Sequence, residues 1–251
     1  MTPPSTARLA SLHAAEFTGT LWAAITIAGG TRPAAPHHHH HVRAAYDPSW
    51  LTALPLPAGP SRPAGQPVAL LDGGEQFERQ DDPAALAAAY ATRPRTRVYE
   101  HINYAAPRAW YTLAACHLSR LASSELEVTC SLFESAAGDV SLDAHHDTWY
   151  AAIVQMDGAK NWTIGRCLLG GTGTPEEITT TAGDILILPK GLPHRASTPQ
   201  GPGRSLHLAF AIHRDNPLHH AAGTTRTGQA RPGPGNASGR TTGQHADDRC
   251  P

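Results

Sequence analysis

Between residues 126 and 213 the apolar positions come in short runs, alternating or continuous, cut by Gly, Asp and Pro. The runs are LEVTCSLF, VSLDAHH, WYAAIVQM, KNWTIGR, EEITTT, DILILP, HRAST and SLHLAFAIH. Alternation with a period of two marks a strand with one buried face, and an unbroken apolar run such as ILIL marks a strand buried on both. Regular short strands with turn residues between them predict a mainly β unit, a sandwich or barrel.

Upstream the period changes. DDPAALAAAYATRP places Asp81 or Asp82 at an N-cap and Pro83 in the first turn of an alanine-rich helix. In APRAWYTLAACHLSRLASS the residues Trp110, Leu113, Ala114, His117, Leu118 and Leu121 recur at helical spacing. RVYEHINYA, between the two, alternates and reads as a strand. A further helix is expected around Ala7–Phe17. The rest of residues 1–80 has no period. GGTRPAAPHHHHHVRAAYDPSW is rich in breakers, and ALPLPAGPSRPAGQP (Ala53–Pro67) reads as a linker or long loop. The run His37–His41 reads as a solvated low-complexity loop, because neighbouring histidines on a flexible chain are not a preorganised site. After residue 213 the chain turns polar, Gly-rich and aperiodic, so disorder is expected over 214–251. The expected division is an irregular N-terminal region with a linker (1–80), a folded domain (81–213, its barrel 126–213) and a tail (214–251).

Composition adds limits. The 251 residues suffice for one sizeable domain or two small ones, and Gly 23 with Pro 22 fits the unpacked segments. The formal net charge is -1 with no basic stripe, which gives no electrostatic reason for a nucleic-acid or membrane partner. MTPPSTARLASLHAAEF lacks the basic segment and apolar core of a signal peptide, and LWAAITIAGG is too short to span a bilayer. Cys116, Cys130, Cys167 and Cys250 form no C-x-x-C pair and read as reduced thiols of a cytoplasmic protein.

The chemistry concentrates in SLDAHHDTWYAAIVQ (Ser141–Gln155), with two histidines and two aspartates in five residues before an apolar run. In a strand, residues two apart share a face, so His145 and Asp147 converge and His146 points away. Asp143 shares their face and is a lesser alternative. A His-x-Asp pair offers a metal one imidazole nitrogen and one carboxylate oxygen. A third ligand comes from GDILILPKGLPH, where Gly183-Asp184 makes a turn, Ile185–Leu188 a buried strand, and His194 opens the next strand after a tight Pro189–Pro193 connection. His207 in SLHLAF is a weaker fourth candidate. Two histidines and a carboxylate on one side of a metal are the facial triad of non-haem iron(II) oxygenases, with three positions left for substrates. A His-x-Asp alone is equally the composition of a surface turn. It is the later G-D-(apolar)-P-x-G-x-P-H block, in that order, that points to a metal.

Residues 98–213 resemble the JmjC-type cupin domain, in particular the ribosomal-oxygenase branch of iron(II)/2-oxoglutarate hydroxylases. The matching pieces are HHDTWYAAIVQMDGAKNWTIG, GDILILPKGLPH and the preceding INYAAPRAWYTLAACHLSRL. The resemblance implies a double-stranded β-helix, the cupin jelly roll, with N-terminal helices and with His145, Asp147 and His194 as iron ligands. It implies Fe(2+) as the metal and 2-oxoglutarate as cosubstrate, and Lys160 as the cation for the far carboxylate. A buried dianion needs such a partner. Ser131 stands where the family often carries an asparagine lining the cosubstrate pocket, and Ser205 and His207 match a polar pair on the last strand. The activity implied is hydroxylation of an unactivated C–H on a protein or peptide side chain or a small natural product. The ribosomal oxygenases carry a dimerisation region and a winged-helix module where this chain has its glycine-rich tail, so their dimer and their ribosomal-protein substrates are not carried over.

Two other readings of the same residues stand beside this one. The first is a cupin enzyme that uses its metal without 2-oxoglutarate and has no need of Lys160. The second is a non-catalytic cupin binding module. Trp149, Tyr150 and Trp162 read as barrel packing, with one of them in the substrate wall as the alternative. Arg166 and Cys167 read as strand-end residues, and Glu134 and Asp139 as solvent-facing. Tyr99, Glu100 and Asn103 lie near where such domains admit substrate.

Overall fold

Among its described residues, the N-terminal region expected to be irregular carries regular helices and strands. In the computed structural model, which describes residues 6–30, 38–58, 68–71, 73, 77–122, 127–201 and 203–213, helix α1 spans Thr6–Ile25. The expected tail, His37 and most of the expected linker lie outside the described residues. Helix α1 runs well past the expected Phe17. It buries Ala14, Phe17, Thr18, Leu21, Ala24 and Ile25, one continuous stripe at helical spacing. That stripe outweighs the roughly 1 kcal/mol penalty of Gly19 within the helix. A π-helical turn, Thr26–Gly30, ends it.

The remaining elements follow in chain order. They are β1 (His40–Val42), α2 (Pro48–Ala53), β2 (Val68–Leu71), β3 (Phe77–Gln80), α3 (Pro83–Thr92), β4 (Arg97–Tyr99), α4 (Ile102–Ala105), α5 (Trp110–Leu121), β5 (Thr129–Ala136), β6 (Tyr150–Ile164), β7 (Glu176–Thr181), β8 (Ile185–Leu188), β9 (His194–Ser197) and β10 (Arg204–Ile212). Helix α3 is capped as expected, with Asp82 accepting from the Ala84 and Ala85 N–H groups and Pro83 at the first position. The fold is mainly antiparallel β. One sheet runs β1-β8-β6-β10-β5-β4-β2-β3, and β7 and β9 pair with the far half of β6.

Thus β1 to β3, all within the region expected to be irregular, close the two ends of the large sheet. Strand β1 pairs with β8, and His41 Nε2 lies 3.2 Å from Asp184 Oδ2. The later part of the histidine run is therefore an edge strand held by a buried aspartate, not a free loop. A three-residue strand carries too little pattern to be seen in sequence.

Two expected strands are one. WYAAIVQM and KNWTIGR form the single strand β6, whose Gly158 turns through φ 65. A Cβ at Gly158 would collide with the Arg204 carbonyl, so only glycine lets β10 approach there. VSLDAHH, in contrast, is no strand. It makes two isolated bridges, Val140 with Arg95 and His145 with His194.

Strands β6 and β8 are buried on both faces, and the period of two sorts their side chains. Ala152, Val154, Ile185 and Ile187 join the large core under α1, α2 and α5, whereas Ala151, Ile153, Leu186 and Leu188 join a second core with Trp162, Ile164 and Ile178. Each fully buried Ile or Leu contributes about 2 kcal/mol relative to exposure. Phe17 links α1 to this frame, packing on Tyr46 (ring centroids 5.1 Å), Trp110 (4.9 Å) and Phe210 (5.7 Å). Tyr46 also donates its hydroxyl to the Phe17 carbonyl at 2.7 Å.

Phe17→Ala should therefore lower stability by about 3–5 kcal/mol, whereas Leu12→Ala, on the exposed face of the same helix, should stay within about 0.5 kcal/mol. Denaturant midpoints of the two variants check this; equal losses would mean that α1 does not support the β domain.

Candidate metal and anion site

The site begins with a backbone exchange. The N–H of His145 donates to the His194 carbonyl (3.0 Å) and that of His194 to the His145 carbonyl (2.8 Å). This one bridge holds the two imidazoles with ring centroids 4.5 Å apart. Two residues on, Asp147 accepts at its carbonyl from the Gly191 N–H (2.8 Å), which ties the segment to the Pro189–Pro193 connection. His145 and Asp147 thus converge as expected, but on a loop pinned across to β9, not by strand alternation.

The ring nitrogens are sorted as well. His145 donates Nδ1–H to the Asp143 carbonyl (2.8 Å), and His194 donates Nδ1–H to the Leu192 carbonyl (2.9 Å). A carbonyl only accepts, so both rings carry their proton on Nδ1 and leave the Nε2 lone pair for a metal. Asp147 Oδ2 lies 3.8 Å from His194 Nε2, and one donor atom from each of the three residues lies within 4.8 Å of the others. Burial pushes the His194 imidazole below its ordinary range, against the raising effects of the Leu192 carbonyl and the Asp147 carboxylate. That favours the neutral ligand form. The donor chemistry, two imidazoles and a carboxylate on one side, fits a first-row divalent metal. His146 is exposed and outside the cluster; Asp143 contributes its carbonyl, not its carboxylate.

The triad opens on a cavity of about 600 Å³ that also takes in Lys160, Ser131, Phe133, Trp149, Trp162 and His207. Lys160 is 2% exposed. Its Nζ donates to Ser135 Oγ (2.9 Å) and Thr198 Oγ1 (3.0 Å), with Ser141 Oγ at 3.5 Å. All three are neutral hydroxyls. Burial brings the ammonium down to about 8, with Asp139 acting to raise it. A buried cation among hydroxyls is in want of an anion.

His207 is the second unsettled group. Its ring stacks on Phe133 (centroids 4.8 Å, interplanar angle 5°) and meets Trp162 edge-on at 5.7 Å. It is buried, and its Nδ1 has no hydrogen-bond partner among the described residues. Burial and then the Lys160 charge push it well below the ordinary histidine range, so it is neutral.

Ser131 lies on the cavity wall and accepts the His101 N–H at 3.2 Å. Ser205 does not face the cavity. It is fully buried and accepts from Gln155 Nε2 at 3.0 Å, on the other side of the register shift between Leu206 and His207. The extra residue of that bulge is Met156 on β6, and on β10 the alternation holds: Ser205 stands opposite Ser135 and His207 opposite Phe133, with Gln155 covering Ser205. Trp149 and Trp162 both wall the cavity, while Tyr150 packs on the large core. Asp139 is buried, not solvent-facing, and accepts from Tyr90 Oη (2.9 Å) and the Ala136 N–H (2.8 Å). Of the three residues expected near the entrance, Glu100 lines the cavity. Tyr99 donates its hydroxyl to Glu134, and the side-chain oxygen of Asn103 accepts the Cys130 N–H. Ser135, Ser141 and Thr198 escape sequence reading, because lone hydroxyl residues carry no pattern; three separate segments bring them to one ammonium.

Residues 109–219 match the family model of the JmjC domain. Mouse ribosomal oxygenase 2 is 27% identical over 113 residues, covering 40% of this chain and 23% of the mouse protein, and the cattle protein is 26% identical over the same length. The match thus spans about a quarter of the length of these curated relatives. A crystal structure of Escherichia coli ribosomal oxygenase YcfD superposes with TM-score 0.50 at 16% identity, over 75% of this chain and 51% of that one, a likeness of fold. The antiparallel sheets are accordingly a cupin jelly roll with added helices. The mutual His145–His194 bridge and the buried Lys160 lie inside the matched segment, and that segment is similar to the JmjC domain of the ribosomal oxygenases.

Proposed function

We propose that the chain is an iron(II)- and 2-oxoglutarate-dependent oxygenase that hydroxylates an unactivated C–H of a protein or peptide side chain or of a small natural product. One observation carries the reading: the buried ammonium of Lys160 shares a cavity with a His-Asp-His cluster and donates to hydroxyls, the Asp139 carboxylate acting on it only through space. A metal-only cupin has no use for a buried cation there, and burying one with no carboxylate in direct contact is costly.

His145, Asp147 and His194 would hold the iron, each imidazole through Nε2. Lys160, with Ser135 and Thr198, would hold the far carboxylate of 2-oxoglutarate, and His207 and Ser131 would line its length. With iron and 2-oxoglutarate bound, the site supplies oxidative chemistry in which dioxygen is consumed, 2-oxoglutarate leaves as succinate and carbon dioxide, and a C–H becomes C–OH. The chain's part is to orient these reactants and to exclude water. The backbone bridge fixes the two rings, Lys160 supplies charge complementarity, and Phe133, Trp149 and Trp162 make the walls apolar. Among the described residues no helix is long and apolar enough to cross a membrane, and Cys116, Cys130 and Cys167 are free thiols, which suits a reducing compartment such as the cytoplasm.

Anaerobic titration of the tag-free protein with iron(II) and 2-oxoglutarate should give the visible metal-to-ligand charge-transfer band of the chelate. Asp147→Ala and His145→Ala should abolish the band, whereas His146→Ala should keep metal affinity within about threefold, consistent with its exposed position. Metal binding with no band in wild type would shift the assignment to a cupin that does not use 2-oxoglutarate.

The dissociation constant of 2-oxoglutarate should also depend on pH through Lys160, whose neighbours in this respect are Asp139 and His207. Free Lys160 loses its proton near pH 8, so binding of the dianion requires proton uptake above that value. Affinity should be flat below about pH 7.5 and then fall about tenfold per pH unit. Lys160→Met should weaken binding at least about tenfold at pH 7 and remove the alkaline limb. A limb that persists in Lys160→Met would assign it to another group.

A further inference from the structure

Thr180 does not line the cavity, yet its hydroxyl meets three residues of β6, two of which, Lys160 and Trp162, do line it. It is 1% exposed and lies opposite Lys160 in the ladder between β6 and β7. Its Oγ1 accepts the indole N–H of Trp162 at 3.0 Å. Its single proton faces the side-chain oxygen of Gln155 at 3.1 Å, with the Lys160 carbonyl at 3.3 Å. Gln155 is itself immobilised: its Nε2 reaches the Asp157 carbonyl (2.8 Å), Ser205 Oγ (3.0 Å) and the Leu206 carbonyl (3.3 Å). The chain of donors is therefore directional, from the indole to Thr180 to Gln155 to the Asp157 and Leu206 carbonyls, where β6 and β10 shift register.

Lys160 and Trp162 are two apart on β6 and both line the cavity. The Trp162 ring meets His207 edge-on at 5.7 Å and stands 6.3 Å from His194. The terminal torsion of a tryptophan is broad, so packing alone allows the indole to turn. A single N–H bond to a fixed acceptor selects one orientation. Without the Thr180 hydroxyl, the buried indole N–H and the Gln155 oxygen would both lack this partner, and the ring would turn to find another.

We propose that Thr180 is a positioning residue of the anion site. Its hydroxyl sets the indole orientation of Trp162 and steadies the backbone of Lys160, and through them fixes where the ammonium and the His207 ring meet a carboxylate ligand. The choice of ligand rests on the proposed 2-oxoglutarate reading; the positioning itself does not.

The test compares wild type, Thr180→Val and Thr180→Ser in the full chain, with Trp162→Phe to assign the indole's near-ultraviolet circular dichroism. Thr180→Val should shift the Trp162 band and raise the dissociation constant for 2-oxoglutarate about tenfold, while Thr180→Ser should restore both to within about threefold. Wild-type affinity and an unchanged Trp162 band in Thr180→Val would overturn the proposal, as would failure of Thr180→Ser to restore them. Should Thr180→Val not fold, Thr180→Ala takes its place with the same expected outcomes. If wild type itself binds no 2-oxoglutarate, the functional reading falls and the indole band alone decides: altered by Thr180→Val and restored by Thr180→Ser, the positioning stands; unaltered, it does not.

Discussion

One strand, β6, is hydrogen-bonded to four others, and most of the molecule is organised by that fact. Its first half lies between β8 and β10, and its second half pairs with β7 and β9. A fifteen-residue strand that passes from one sheet to the other must carry two kinds of inside. Its even-numbered residues up to Met156 pack under the helices, while Ala151, Ile153 and Trp162 pack between the sheets. The glycine at 158 is where the changeover is possible, since β10 approaches too closely there for any side chain.

The site follows from the same constraint. Asp147 lies three residues before β6 begins, and Lys160 and Trp162 lie on its second half, facing a common cavity. The triad needs one further contact, the paired backbone bonds between His145 and His194, to bring β9 to the loop. The three clustered residues and the cation are thus positioned by backbone hydrogen bonds, which are stiffer than side-chain contacts alone. A site intended to hold reactants in one geometry benefits from that stiffness.

Electrostatically the cavity is asymmetric. One end carries an aspartate and two imidazoles, the other a lysine among hydroxyls with a neutral histidine beside it. Burial lowers the affinity of His194 and of His207 for a proton, and the Lys160 charge adds to the effect at His207. A ligand with a chelating head and a carboxylate tail meets complementary chemistry at both ends.

The sequence alone determined the class of the fold and singled out three residues that the structure brings together, because both are written in local pattern. Alternating runs reported strands, ILIL reported a strand buried on two faces, and His-x-Asp followed by G-D-(apolar)-P-x-G-x-P-H reported His145, Asp147 and His194. It also located Asp82 and Pro83, where a helix start has its own chemistry. What the sequence did not hold was anything that depends on distant segments meeting. The strand at His40–Val42 exists only because β8 offers it an edge and Asp184 a partner. Ser205 is held away from the cavity by Gln155, and Asp139 is buried because Tyr90 reaches it. The hydroxyls around Lys160, and Thr180 behind it, come from separate segments of the chain with no shared spacing. Periodicity records which face of an element is covered; only the tertiary structure decides what covers it.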